Sequence, residues 1–137
     1  MSWDVHAGKV VPMVPMVKLG EILNQEEEPI RCLYIYSSNP AITAPDQNLV
    51  RQGLAREDLF TVVHERFLTD TAKYADIVLP ATSSVEADDI YNSYGHYTSA
   101  IGYKAIEPIG ESKSNWDTIR LIAKAMGITD PFLIKQL

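Results

Sequence analysis

Cys32-Leu33-Tyr34-Ile35-Tyr36, followed at once by Ser37-Ser38-Asn39-Pro40, is the stretch that decides the fold, because its pattern recurs twice more. Leu59-Phe60-Thr61-Val62-Val63 leads into His64-Glu65-Arg66-Phe67, and Asp76-Ile77-Val78-Leu79 leads into Pro80-Ala81-Thr82-Ser83-Ser84. Each is a short apolar run ending in small hydroxyl, amide or acidic residues. Runs of this length, rich in β-branched and aromatic side chains, read as buried strands.

The segments between the runs read as helices. Thr43 with Asp46 three residues later is a capping pair, Pro45 falls in the first turn, and Leu49, Val50, Gly53 and Leu54 share one face. Thr69-Asp70-Thr71-Ala72-Lys73-Tyr74-Ala75 offers a hydroxyl cap and a short helical turn. Strand, helix, strand, helix, strand implies right-handed crossovers and parallel pairing. The expected fold is therefore α/β, a three-layer Rossmann-like domain with a mainly parallel sheet. All three polar clusters then fall at the carboxyl edge, where open α/β sheets bind ligands.

The chain has 137 residues, 46% of them hydrophobic, enough for a single domain with a true core. A net charge of -6 and the lack of a basic stripe argue against nucleic acid as a partner. Cys32 is the only cysteine and falls within a strand, where it reads as a small core residue; no cysteine-based metal site follows from it. No apolar stretch is long enough to cross a bilayer and no secretory signal is visible, so a cytoplasmic location is expected, although a larger parent protein in the periplasm is compatible with it.

Residues 1–17 contain Val10-Val11-Pro12-Met13-Val14-Pro15-Met16-Val17, whose prolines bar a central strand or helix interior. They are expected as an extended apolar arm, lying either over its own core or against further protein. Lys18 to Gln25 reads as a short helix, and residues 85–110 as an irregular excursion with one or two short strands. Ser114-Asn115-Trp116-Asp117 is a capping box opening a C-terminal helix over 114–127, with Trp116, Ile119, Leu121, Ile122, Ala123 and Met126 along it and Gly127 to end it.

Four groups of residues carry possible chemistry. Ser37, Ser38, Asn39 and Pro40 either bind phosphate or a ribose edge through hydroxyls and backbone N–H groups, or form a turn that satisfies only itself. His64 and Glu65 read as a surface pair when taken alone, yet a carboxylate here suits ribose hydroxyls or the N–H edge of guanine. Thr69 reads as a cap that also faces the ligand edge. Glu86, Asp88 and Asp89 read as a solvated acidic loop rather than a cation site. There is no glycine-rich dinucleotide fingerprint, no phosphate loop and no nucleophile elbow, so no catalytic residue and no metal ligand is assigned.

In this order the chain resembles the molybdopterin oxidoreductases that bind bis(molybdopterin guanine dinucleotide), the family of formate dehydrogenases, nitrate reductases and dimethyl sulfoxide reductases. The resemblance rests on residues 33–41, on Asp58 through Glu65 and Phe67 through Ala72, on Tyr74-Ala75-Asp76-Ile77-Val78-Leu79-Pro80-Ala81-Thr82, on Glu86, and on Ser114-Asn115-Trp116. It implies one cofactor-binding domain in which Ser37, Ser38, Asn39, Pro40, His64, Glu65 and Thr69 hold the guanosine and pyrophosphate of one pterin dinucleotide. It implies molybdenum or tungsten in the complete enzyme, and the remaining domains or subunits of that enzyme as partners. The iron-sulfur cysteines, the protein ligand to the metal and the second dinucleotide-binding half are not visible here, so no turnover is expected of this chain by itself. The alternative is a stand-alone α/β module that binds a nucleotide or a protein without a redox role. On either reading, Asn39 and Glu65 are expected at an exposed sheet edge, with alanine at either one weakening binding but sparing stability.

Overall fold

The computed structural model describes residues 2–6 and 9–130, with side chains described from residue 13 onward. It divides into two compact units, Met1–Val78 and Leu79–Leu137.

The first unit opens with β1 (Ser2–His6) and β2 (Lys9–Met13), which pair antiparallel from Ser2 opposite Met13 to His6 opposite Lys9. Residues 1–17, read as a lone extended arm, thus contain two strands that pair with each other. Pro12 is tolerated because the ribbon has only two strands, and both are edges. A 3-10 turn, Met16–Lys18, leads into α1 (Leu19–Leu23).

A three-stranded parallel sheet follows, β3 (Cys32–Tyr36), β4 (Phe60–Glu65) and β5 (Ile77–Pro80), in the spatial order β3-β4-β5. Cys32 lies opposite Phe60 and Tyr36 opposite His64, so the first two strands end level. The α/β class and the parallel pairing read from the sequence both hold. The central strand is the best covered: Thr61, Val63 and His64 are buried. Cys32 is exposed, contrary to its reading as a core residue. It is the first residue of an edge strand, paired on one side only, where the sheet gives least cover.

The connection between β3 and β4 also differs from the sequence reading. It holds two helices, α2 (Pro40–Thr43) and α3 (Gln47–Leu54), rather than one capped at Thr43. Ala44 precedes Pro45 and is extended, at φ -81° and ψ 145°, because the proline ring clashes with a helical residue before it. Asp46 then caps α3, its carboxylate accepting the Leu49 N–H at 3.3 Å. Val50 and Leu54 of α3 join Leu23, Ile35, Ala41, Ala44, Leu59, Val63 and Ala72 in one buried cluster. A 3-10 turn, Ala72–Tyr74, carries the chain toward β5.

In the second unit, Ala81 bridges Lys113 in parallel fashion. Between them, β6 (Asp89–Tyr91) and β7 (Ala100–Gly102) pair antiparallel. The helix α4 (Asn115–Ala125) is capped by Ser114, whose Oγ accepts the Asp117 N–H at 3.1 Å. It ends at Gly127, where φ is 71°, with Gly127 N–H bonded to Lys124 O and Ile128 N–H to Ala123 O. The buried residues of α4 are Thr118, Arg120 and Ala123, while the apolar Trp116, Ile119, Leu121 and Met126 are exposed. Among the described residues no helix is long and apolar enough to cross a membrane.

Candidate functional site

The loops after β3 and β4 meet because the two strands are parallel and end level. Ser37 N–H donates to His64 O at 3.2 Å, which extends the ladder one step past the end of β3. Ser37 has φ 50°, a left-handed conformation that costs a residue with a side chain on the order of 1 kcal/mol and turns the chain sharply out of the sheet. Its side chain lies exposed and Ser38 is half-buried.

Asn39 is the N-cap of α2, and its carbonyl receives Ile42 N–H and Thr43 N–H, both at 3.0 Å. Its side chain does not cap that helix; Oδ1 instead accepts from the backbone N–H of Thr71 at 3.1 Å and from Thr71 Oγ1 at 2.7 Å. Pro40 is buried and forms the first residue of α2, where its missing N–H costs nothing.

On the second loop His64 is 0% exposed. The Glu65 side chain is 9% exposed; its Oε1 accepts the Arg66 N–H at 2.8 Å and lies 3.7 Å from Arg66 Nε. Thr69 Oγ1 accepts the Ala72 N–H at 3.3 Å, tying the loop to the following 3-10 turn. Beside it, Asp70 pairs with Lys73 at 2.7 Å, and that ammonium holds the Asp70 carboxyl below its ordinary pKa.

The structure therefore brings the loops of all seven sequence-selected residues together, but with different duties. Asn39 and Glu65 do not stand at an open edge: the first is half-buried and clamped to a buried threonine, and the second is nearly covered. Thr71 was missed except as part of a cap, although a hydroxyl flanked by Asp70 and Ala72 at the start of a short turn was visible.

In the second unit Glu86 is buried and spans the excursion. Its Oε2 accepts Ser83 N–H at 2.7 Å and its Oε1 accepts Ile109 N–H at 2.8 Å. Among the described residues no group of three or more His, Cys, Asp or Glu is placed to hold a metal ion. The two bonds make Glu86 a tie between Ser83 and Ile109, and its burial departs from the reading of Glu86, Asp88 and Asp89 as a solvated acidic loop.

Comparison with known proteins adds the family. The sequence model described as Molybdopterin oxidoreductase matches residues 5–125. A probable oxidoreductase of Bacillus subtilis, YoaE, is 54% identical over 127 residues, 93% of this chain and 19% of that protein. The F420-dependent formate dehydrogenase subunit alpha of Methanocaldococcus jannaschii is 37% identical over 114 residues, 83% of this chain and 17% of that one. Among solved structures, acetylene hydratase from Pelobacter acetylenicus superposes with a TM-score of 0.71 at 26% identity, covering 80% of this chain and 15% of that enzyme. The chain spans less than a fifth of the length of each of these relatives. With a family model matching residues 5–125 and relatives 54% and 37% identical over most of its length, the chain belongs to the molybdopterin oxidoreductase family.

Proposed function

We propose that this chain holds the guanosine and pyrophosphate of one molybdopterin guanine dinucleotide at the carboxyl edge of its parallel sheet, through residues 37–40 and 64–69. The observation that carries the reading is the joining of the two strand-end loops into one surface by Ser37 N–H to His64 O and by the Asn39–Thr71 clamp.

The donor set fits such a ligand. The Ser37 and Ser38 hydroxyls can donate to phosphate or ribose oxygens. The Glu65 carboxylate can accept from ribose hydroxyls or from the N–H groups of guanine with the oxygen that Arg66 N–H leaves over. His64 and Pro40 are both buried, so their part in this reading is to support the loops rather than to meet the ligand at the surface. When bound, the cofactor supplies electron-transfer chemistry at molybdenum or tungsten; this chain binds and orients its nucleotide end. In the parent protein we expect the remaining domains to complete the site, with oxidoreductase activity belonging to the whole.

Titration of the full chain with guanosine diphosphate, followed by backbone amide NMR, tests the reading. Shifts confined to residues 37–40, 64–69 and their immediate supports are expected. No shift at millimolar nucleotide, or shifts centred elsewhere, overturns it in favour of a module that recognises something other than a nucleotide.

A further inference from the structure

Thr71 is fully buried at the point where the two strand-end loops join. Its Oγ1 accepts the Ala41 N–H at 3.1 Å and donates to Asn39 Oδ1 at 2.7 Å, while its own N–H donates to the same Oδ1 at 3.1 Å. A hydroxyl that receives an amide proton still has its own proton to give, so these bonds run in one direction and end on an acceptor. That acceptor is the Asn39 carbonyl oxygen, and the side-chain amide is thereby fixed in one of its two flips. Asn39 occupies the N-cap of α2, yet the Ala41 N–H that an N-cap side chain commonly takes is taken by Thr71, 30 residues away in sequence. One buried hydroxyl thus sets both the start of α2 and the orientation of Asn39.

We infer that Thr71 is the positioning residue of this loop: it holds residues 37–40 in their ligand-receiving shape and commits Asn39 to presenting its Nδ2 donor. The inference rests on the nucleotide reading above and deepens it. With Oδ1 occupied, Nδ2 is what Asn39 has left to give a ligand, and a donor selects acceptor oxygens. Asn39 is therefore matched to the ribose or phosphate oxygens, not to the N–H edge of guanine, which needs an acceptor.

The test compares the full wild-type chain with Thr71→Ser, Thr71→Val and, as a control, Val50→Ala, buried in α3 and outside the loop. Two quantities are read: the Kd for guanosine diphosphate and the hydrogen-exchange rate of the Ala41 amide. Thr71→Val is expected to bind about tenfold more weakly and to exchange Ala41 about tenfold faster, the scale of one lost hydrogen bond. Thr71→Ser, which keeps the hydroxyl, is expected to match the wild type in both. Val50→Ala is expected to lower the thermal midpoint without changing the Kd. Wild-type affinity in Thr71→Val, or equal losses in Thr71→Val and Val50→Ala, overturns the inference.

Asn39→Asp tests the donor independently, should Thr71→Val not fold. It keeps an acceptor for Thr71 but lacks Nδ2, so it should hold Ala41 exchange steady and weaken binding of uncharged guanosine; unchanged affinity overturns the donor assignment. A wild-type chain without nucleotide affinity defeats the reading of the site itself, and the Ala41 exchange in Thr71→Val then decides by itself whether Thr71 shapes the loop.

Discussion

A single carboxylate can organise a long stretch of irregular chain, and Glu86 does so here. It grips Ser83 with one oxygen and Ile109 with the other, closing most of residues 85–110 into a loop with fixed ends. These bonds favour the ionised form: the Ser83 side chain first, then the backbone N–H groups of Ser83 and Ile109, hold its pKa below the ordinary 4.5. The folded value being lower than the unfolded one, the stabilisation is fully present above about pH 4.5 and is lost as pH falls through the folded value. Asp58, bonded to Arg56 at 2.8 Å and 2.9 Å and paired with Arg31, and Asp70, paired with Lys73, shift in the same direction. Glu86→Gln has one acceptor oxygen in place of two, so it is expected to melt below the wild type at pH 7. The gap should narrow as the pH is lowered from 4.5 through the folded value, where the wild-type carboxylate takes up its proton. Thermal scans at pH 7 and at steps below 4.5 check this, and a gap of constant size contradicts it.

At the scale of elements, α1 and α3 approach so closely that only glycine fits between them. A Cβ on Gly53 would lie 2.4 Å from Leu23 Cβ, and one on Gly20 3.1 Å from Leu49 Cβ. Asn24 fastens the pair, its Nδ2 donating to Gly20 O at 2.7 Å and to Leu49 O at 2.8 Å. Helix propensity alone would make Gly53→Ala favourable by about 1 kcal/mol. Overpacking opposes it by about 1–3 kcal/mol, and at 2.4 Å from a Cβ that cannot swing aside, overpacking wins. Chemical denaturation is expected to show Gly53→Ala less stable than the wild type; a gain in stability would mean that the two helices separate freely.

The same elements show what could be read from the sequence. The three strands were legible because each is a continuous apolar run bounded by polar residues, although only β4 is well buried and Ile77 and Val78 of β5 stand exposed; the parallel pairing followed from the helical segments between them. The break at Ala44 was also within reach, since Pro45 forbids a helical residue before it, but the capping pattern at Thr43 outweighed it in the reading. The exposure of Cys32 was not legible, because a residue type reveals its preference and not whether its strand is an edge. Thr71 was hidden for a similar reason. Its bonds to Asn39 and Ala41 span 32 and 30 residues, and no local pattern marks a partner that distant.

Across the whole molecule, much large apolar surface is left open within each unit. Phe67 is 72% exposed and Leu68 79% in the first, while Tyr94, Tyr97, Ile109 and Met126 stand open in the second. Where exposed apolar groups form a contiguous patch, they mark surface that meets other protein or aggregates. The chain by itself is expected to bind a hydrophobic dye and to self-associate, which sedimentation velocity over a concentration series would detect; a strictly monomeric, dye-silent chain would mean that these groups cover one another in solution. Cys32 adds a practical corollary. One thiol in the sequence, on the outside of an edge strand, makes this chain take a single maleimide-linked reporter per molecule without unfolding. Under air, that same sulfur is where two copies become covalently joined, giving a doubled band that reductant removes.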